Sequence, residues 1–454
     1  MLALPGEAWG QVRVRPWPNP GRPRPAESSK SSALDVKGSV AQLLNPQGLA
    51  HYHKHPGDLL ALIRQAVDEQ RKFPDTAQNR SPWGVMHTTL AWGPLGEILV
   101  GDQPYNAISA LCDNQRLKGV RILAVKAGLP HPLEGPGLQG HPCQLLAILA
   151  QNNVPLEHPI QIGEQSFSVA DLVKYEQKTC TPNMELTFKL LGLSHYLPLN
   201  ETWTAEDGGA WSVERLLRLE LRQPINGQQT CGGTHRLMAI HLAAAKRIRE
   251  GGEITGAWSS AAKYMDDYHA YAFSLINPDG SCSTDWLERR AALDDPQRRV
   301  QTTGHVLEWL AVSLPTEKLR HEKLMGSYAY LAALLRVDTG ETWSVGPRAH
   351  ALRALRIYHD RLAATLPTTP EVSWERLANE IDIPSPPESE KSDLVDSSDQ
   401  PAQATDHSAA AEGADGTDTA AGPALGTDTG KPNGAAGEPQ GKVANPVTGT
   451  DRTR

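Results

Sequence analysis

The chain has 454 residues, of which 21% are charged and 39% hydrophobic, and its formal net charge is −8. This length allows one large core or two to three ordinary domains. No run of about 18 apolar residues occurs, so the sequence predicts no transmembrane helix. Most of the negative charge lies after residue 383. The rest of the chain is almost neutral and lacks the basic patch with which proteins bind nucleic acids, so a nucleic-acid partner is not expected.

Two features bear on the cellular compartment. The five cysteines are odd in number, widely spaced and without a CxxC pair, so they do not predict a disulfide framework. The first residues, MLALPGEAWGQ, are too short and too poor in basic residues for a complete signal peptide. A cytoplasmic location is therefore expected, with export as the alternative if the start of the sequence is truncated.

Both ends of the chain have compositions typical of disorder. Residues 1–48 are rich in Pro, Arg and Ser, and proline at this density blocks helices and sheet ladders. Residues 384–454 consist mainly of Ala, Gly, Thr, Asp, Pro and Ser, which bury too little apolar surface to fold. The sequence thus predicts a disordered arm, a folded domain over 49–366, a short helical or extended linker over 367–383 and a disordered acidic tail.

The folded part begins with helical patterns. Apolar residues recur in the helical period at Leu59, Leu62, Ile63 and Val67. This pattern predicts a helix from Asp58 to Arg71, and a second helix is predicted to begin near Trp83. The glycine-bracketed runs GEILVGD and GVRILAV are typical of short strands. We therefore expect at most a small β insertion near residues 96–126, with a helix from Tyr105 to Gln115.

A serine repeat marks one set of predicted helices. Segments of the form SFSVADLV, AWSVERLL, SCSTDWLE and TWSVGPRA place a serine just before a helical pattern. A serine Oγ at this position can accept from the free N–H groups of the first helical turn. The predicted N-caps are Ser168, Ser212, Ser283 and Ser344.

A second repeat marks the helices between them. TCGGTHRLMAIHL, from Thr230 to Leu242, has a glycine-broken lead-in, then a histidine, then an apolar helical pattern. TTGHVLEWLAVSL has the same form, and looser copies occur elsewhere in the chain. Helices of this type are predicted to begin near Trp83, Gly140, Asn183, Thr234, Gly304 and Arg348. Six starts separated by about two helices each predict six helical hairpins.

The two repeats together predict an all-α fold. A helix that is apolar along one stripe must bury that stripe against its neighbours. Alternating outer and inner helices can do so by closing into a ring, so we expect an (α/α)6 toroid of about twelve helices between residues 55 and 365. The last helix, from Ala349 to Leu362, should then meet the first.

This pattern resembles the α/α toroid of terpenoid cyclases and protein prenyltransferases. The resemblance covers roughly residues 55–365 and is carried by the turns AEDGGAW and NPDGSCS before capped helices. The chain also looks like bacterial proteins of planctomycete type. It lacks the DxDD and DDxxD motifs of the cyclases. Asp279 and Cys282 are three residues apart, whereas the zinc-binding pair of the prenyltransferases is two apart.

A shorter stretch is similar to N-acylglucosamine 2-epimerase-type enzymes. GHVLEW, with His305 and Glu308, resembles their GHxxE segment, in which this histidine and glutamate serve in acid/base chemistry. MHTTLA at His87 and WSVGPRAHALRAL at His350 and Arg353 are similar to other segments of that family. The resemblance implies a sugar epimerase or isomerase activity.

The histidines of the second repeat are the candidate site. If the inner helices run in parallel, histidines at their starts would share one face, where the helix N-termini disfavour a protonated ring. Neutral imidazoles could act as bases or bind a divalent metal. The predicted catalytic residues are His235, His305 and Glu308, with His235 and His305 also as candidate metal ligands. The predicted ligand-binding residues are His87, His141, Trp309, His350 and Arg353.

The sequence leaves three functions open. The first is an enzyme that binds a small molecule in a histidine-lined central cavity, with the reaction open and either a divalent metal or no cofactor. The second is a non-catalytic scaffold that presents a concave surface to a protein or a glycan, since the family signatures are missing and the tail is acidic. The third is the epimerase-like chemistry of His305 and Glu308. A purely structural role remains beside all three, with each histidine capping a helix.

Overall fold

A computed structural model describes residues 51–227, 229–336 and 343–366. The predicted arm over 1–48, linker over 367–383 and tail over 384–454 lie outside the described residues. The described part is mostly helical, with small sheets of two strands each. Within it, every helix is too short or too polar to cross a membrane.

The helices and strands are labelled here in chain order. The helices are α1 (Pro56–Gln70), α2 (Pro82–Trp92), α3 (Ala107–Cys112), α4 (Gln144–Gln151), α5 (Val169–Lys178), α6 (Thr187–Tyr196), α7 (Val213–Glu220), α8 (Thr234–Arg249), α9 (Ala257–Leu275), α10 (Pro296–Ser313), α11 (Glu322–Leu335) and α12 (Val345–Ala363). The strands are β1 (Glu97–Val100), β2 (Gln103–Asn106), β3 (Leu123–Lys126), β4 (Leu129–Pro132), β5 (Pro159–Ile162), β6 (Gln165–Ser168), β7 (Thr202–Thr204) and β8 (Ala210–Ser212). Each odd-numbered strand pairs antiparallel with the next.

The β content corrects one prediction. The chain forms four hairpins among its described residues, whereas at most one small insertion near 96–126 was expected. The hairpins β5–β6 and β7–β8 lie between helices in the middle of the chain. Their strands have only three or four residues, too few to show a clear alternation of apolar and polar side chains. The turn glycines Gly163 and Gly208, both with positive φ, were their only strong sequence signal.

Two of the four predicted serine caps are confirmed. Ser168 forms a capping box with Asp171 at the start of α5, and the Ser212 Oγ accepts from the Arg215 N–H at the start of α7. Ser283 lies in a loop and caps no helix, because its Oγ accepts from two loop N–H groups. Ser344 precedes α12 but forms no capping bond with its side chain.

Several helices begin earlier than predicted. In α2 and α10, an N-cap residue that accepts from the first turn is followed by proline, a residue preshaped for the first helical position. As a result α10 begins at Pro296, well before Gly304, and α12 begins at Val345. His305 and His350 therefore lie inside their helices, and the expectation that each histidine begins a helix is wrong for them.

The even-numbered helices contact one another in series. Each of α2, α4, α6, α8, α10 and α12 contacts the next, and α12 contacts α2. The odd-numbered helices pack against them, with α11 against α1 and α7 against α9. Helix α12 also contacts α1, so the last helix meets the first as expected. Arg356 of α12 adds a hydrogen bond to the Ala91 carbonyl at the end of α2.

The closest approach that matters for the site is between α10 and α12. Both are buried over long stretches, 302–313 and 346–359. A Cβ at Gly304 would lie 3.0 Å from backbone and side-chain atoms of Ala351. The two helices can therefore come this close only with glycine at position 304. This contact brings together the adjacent residues, His305 after Gly304 and His350 before Ala351.

Candidate functional site

Four of the predicted histidines form one group, which we call the histidine cluster: His87, His235, His305 and His350. The rings of His305 and His350 are 3.8 Å apart between centroids. The His235 ring lies 5.1 Å from that of His350 and 5.5 Å from that of His305. His87 joins from α2, with its ring 5.4 Å from that of His350. Side chains from four even-numbered helices thus meet in one place.

Hydrogen bonds set which ring nitrogen is available. In His87 and His305, Nδ1 lies 2.7 Å from the backbone carbonyl oxygen four residues earlier. In His350, Nδ1 lies 2.6 Å from Oε2 of Glu308. All three partners are acceptors, so each Nδ1 carries the proton and donates. The Nε2 lone pair of each neutral ring is left to accept a proton or bind a metal.

The cluster is poised to stay neutral near pH 7. Burial lowers the pKa of His305, His350 and His235 well below the usual range, and neighbouring histidines lower it further. Burial also lowers the pKa of His87, to about 4. The expected cause was the field at a helix N-terminus. Since His305 and His350 lie inside their helices, burial is the cause instead.

A strained turn brings a cysteine to the cluster. Cys231, Gly232 and Gly233, just before α8, have φ of 48°, 62° and 81°, in the left-handed region. A Cβ on Gly232 would lie 2.3 Å from the ring of Trp286, so the turn is pressed against that ring. The same tryptophan meets the edge of His305, with centroids 5.5 Å apart. Left-handed non-glycine residues are costly and concentrate at functional sites.

Cys231, His235 and His305 have the geometry of a metal site. Each offers one ligand atom, and these three atoms all lie within 4.8 Å of one another. Tetrahedral zinc at about 2.0–2.3 Å from its ligands needs separations of roughly 3.3–3.8 Å, which small side-chain movements would supply. The sequence pointed to both histidines as candidate ligands but not to Cys231, which is partly exposed. Its spacing of four from His235, across two glycines, was the missed signal.

A fifth histidine, His141, lies beside the histidine cluster and is held by a carboxylate. Nδ1 of His141 lies 2.7 Å from Oε2 of Glu185, and the Thr230 hydroxyl donates to the other oxygen at 2.7 Å. Burial alone would raise the pKa of Glu185, but the bonds from His141 and Thr230 lower it on balance. The ring of Phe188 lies 5.1 Å from that of His141 and 5.3 Å from that of His235. His141 is therefore next to the cluster, with Nε2 available.

Glu308 reaches the cluster through His350. Its Oε2 accepts from His350, and its Oε1 accepts from Arg353, one helical turn further along α12. All three side chains are buried. The sequence placed Glu308 together with His235 and His305 at a common pocket; the structure gives it contacts to His350 and Arg353 instead, so any effect on the candidate ligands passes through His350.

Trp309 lies apart from the histidine cluster. It is fully buried, and its ring stacks on that of His269 with centroids 5.2 Å apart. His269 in turn bonds through Nε2 to the Ser313 hydroxyl at 2.7 Å. The contacts of Trp309 are thus those of a core residue, and its predicted ligand-binding role has no further support among the described residues.

Comparison with known proteins adds no family to this geometry. No protein-family model, curated protein or solved structure matches the chain. The resemblances to toroid enzymes rest only on the short motifs given above. The evidence on function therefore comes from the side chains of the site themselves.

Proposed function

We propose that this protein is an α/α toroid that binds one divalent transition-metal ion, best suited to be zinc, and that it is an enzyme acting on a small molecule at that ion. The observation that carries the proposal is the grouping of Cys231, His235 and His305, with all three ligand atoms within 4.8 Å of one another. The series of contacts among the even-numbered helices, with α12 against α2, supports the toroid.

The ligand chemistry favours zinc. A thiolate with two imidazoles is a donor set typical of zinc, whereas calcium and magnesium prefer oxygen. Neutral rings are the form that binds metal, and the low pKa of both histidines provides it. The bond from His305 Nδ1 to the Gln301 carbonyl oxygen is the usual outer contact of a metal-binding histidine, which fixes its tautomer and orientation.

Three protein ligands suit catalysis better than a structural role. Structural zinc sites usually close the tetrahedron with four protein ligands, whereas catalytic sites keep the fourth position for water or substrate. An ion held in this way supplies Lewis-acid chemistry to a water or carbonyl oxygen. His141 is the neighbouring residue suited to move a proton, since Glu185 holds its Nδ1 and leaves Nε2 free to act as a base.

The epimerase-like alternative assigns acid/base roles to His305 and Glu308. Both oxygens of Glu308 already accept hydrogen bonds, from His350 and from Arg353. A carboxylate held by two donors is better placed to orient its neighbours than to exchange a proton with a substrate. We therefore assign Glu308 a positioning role.

Metal analysis of the full chain tests the proposal. We expect about one zinc ion per chain after purification, and a thiolate-to-cobalt charge-transfer band when cobalt replaces zinc. Cys231→Ala should abolish the band and most of the bound metal. Cys112→Ala, which removes a buried cysteine of α3 instead, is the matched control and should keep both.

Two results would overturn the proposal. One is a chain that takes up no zinc or cobalt even when the metal is added in excess. The other is equal metal content in Cys231→Ala and Cys112→Ala. A chain that binds zinc without an open position, so that cobalt shows no spectral response to added small anions, would favour the scaffold function over the enzyme.

A further inference from the structure

A second candidate site lies near the C-terminal ends of several even-numbered helices, and two of these helices, α8 and α10, also carry histidines of the cluster. The C-terminal halves of α4, α6, α8 and α10, together with Arg353 of α12, surround a small open cavity of about 100 Å³. Part of its wall is apolar, formed by side chains such as Leu191, Leu242 and Val312. An apolar wall with a few placed polar groups is typical of small-molecule sites.

The charged groups of this cavity have one sign. Lys246, Arg249 and Arg353 line it, together with His195 and His241. The described residues that line it include neither aspartate nor glutamate. Burial first, and then the charges of Lys246 and Arg249, lower the pKa of His195 to about 4. The charged side chains that line the cavity are therefore all cationic.

The three cations differ in how far they are already neutralised. Lys246 donates to the His195 and Leu197 carbonyl oxygens at 2.9 and 2.7 Å, and Glu250 lies 3.6 Å away. Lys246 thus caps the end of α6. Arg353 is paired with Glu308. Among the described residues Arg249 forms neither a hydrogen bond nor an ion pair, although the adjacent Glu250 favours its charged form, so its guanidinium donors remain available.

We propose that this cavity binds a small organic carboxylate. Its carboxylate would lie between the Arg249 guanidinium and the Lys246 ammonium, and its apolar body would lie against Leu191, Leu242 and Val312. Arg249 supplies two parallel N–H donors that match a carboxylate. The apolar wall favours a monocarboxylate over a compact, strongly hydrated phosphate ion. The proposal does not rest on the metal site.

The basic residues of this cavity also favour the end of helix α8. Lys246, Arg247 and Arg249 all lie in the last turn of α8, where positive charge favours the helix. This role explains Lys246, which bonds to carbonyl oxygens. If helix stabilisation were the only role, substitutions of Arg247 and Arg249 should change ligand binding equally. A ligand site predicts weaker binding for the Arg249 substitution only, because Arg247 does not line the cavity but lies over the Trp258 ring.

Calorimetric titration of the full chain with acetate, butyrate, hexanoate and inorganic phosphate tests the proposal. We expect affinity to rise with chain length and phosphate to bind more weakly than hexanoate. Arg249→Gln should weaken hexanoate binding about tenfold or more, since it removes a charge-assisted contact. The matched control Arg247→Gln, which removes the same charge from the same helical turn, should leave binding within about twofold.

Three outcomes would overturn the proposal. These are no measurable heat with any carboxylate, phosphate binding tighter than hexanoate, or equal weakening in the Arg249 and Arg247 variants. Thermal unfolding of both variants checks that they remain folded, which the exposed position of Arg249 favours. Titration of Cys231→Ala separates this proposal from the metal site, because hexanoate binding should persist in that variant whether or not the chain binds zinc.

Discussion

The rings of His305 and His350 lie only 3.8 Å apart between centroids. They are this close because α10 and α12 touch at the neighbouring residues, Gly304 just before His305 and Ala351 just after His350. Two buried imidazoles this close cannot both take a second proton and become positively charged. The pair is therefore held neutral by its position in the fold, and any change in the spacing of α10 and α12 should disturb the site.

Substitution of Gly304 tests this relation. The Cβ of Gly304→Ala would lie 3.0 Å from the Ala351 backbone, which cannot give way without moving a helix. We expect a loss of about 1–3 kcal/mol in the free energy of unfolding, measured in urea, and reduced zinc content. The control is Gly57→Ala in α1, where a Cβ meets no described atom within 4 Å. It should be neutral or slightly stabilising, and an equal loss in both variants would contradict the argument.

Glu308 is expected to be essential for stability in a way that surface acids are not. It is the buried acceptor for both His350 and Arg353. Glu308→Gln would leave the Arg353 charge buried without its counterion, so we expect a loss of about 3–5 kcal/mol in the free energy of unfolding. Glu214→Gln breaks the exposed pair with Arg218 and should cost less than about 0.5 kcal/mol. Similar losses from the two variants in urea unfolding would show that Glu308 is not an essential buried counterion of Arg353.

The structure also shows which features a sequence pattern can reveal. The helical period and the repeat predicted an all-α fold, and the structure confirms a mostly helical one with four added hairpins. The same local spacing predicted that His87, His235, His305 and His350 would lie in register. The predicted start of α10 was wrong because it followed the glycine–histidine motif at Gly304. The proline at the first helical position, Pro296, marks the true start. The partners of Glu308 lie more than forty residues away on another helix. No local pattern encodes such a contact.

Stability should fall in mild acid. Burial lowers the pKa of His269 to about 4, below the value of about 6.5 expected in the unfolded chain. Between these values the unfolded chain binds the extra proton, so stability is fully present above about pH 6.5 and is lost as the pH falls towards 4. His269 alone should lower the free energy of unfolding by about 2 kcal/mol between pH 7 and pH 5.

Urea unfolding at several pH values measures this effect. His269→Gln should lower stability at pH 7, because it loses the bond to Ser313, but should reduce the further loss on going to pH 5. The exposed His53→Gln is the control and should leave the pH dependence of the wild type unchanged. A wild-type stability that is flat between pH 7 and pH 5 would show that the buried histidine is not held neutral.

The turn before α8 offers the sharpest separation of backbone strain from close packing. At Gly232, with φ of 62°, a Cβ would both strain the backbone and lie 2.3 Å from the Trp286 ring. Gly208, in the β7–β8 turn, has a similar φ of 79°, but a Cβ there meets no described atom within 4 Å. Gly208→Ala should therefore lower the free energy of unfolding only by the backbone strain, about 1–2 kcal/mol, and should leave zinc content unchanged. Gly232→Ala should cost more in urea unfolding and, by displacing Cys231 from His235 and His305, should also lose most of the bound zinc. If Gly232→Ala keeps its zinc while losing stability, the turn serves only to pack against Trp286, and Cys231 is not a ligand.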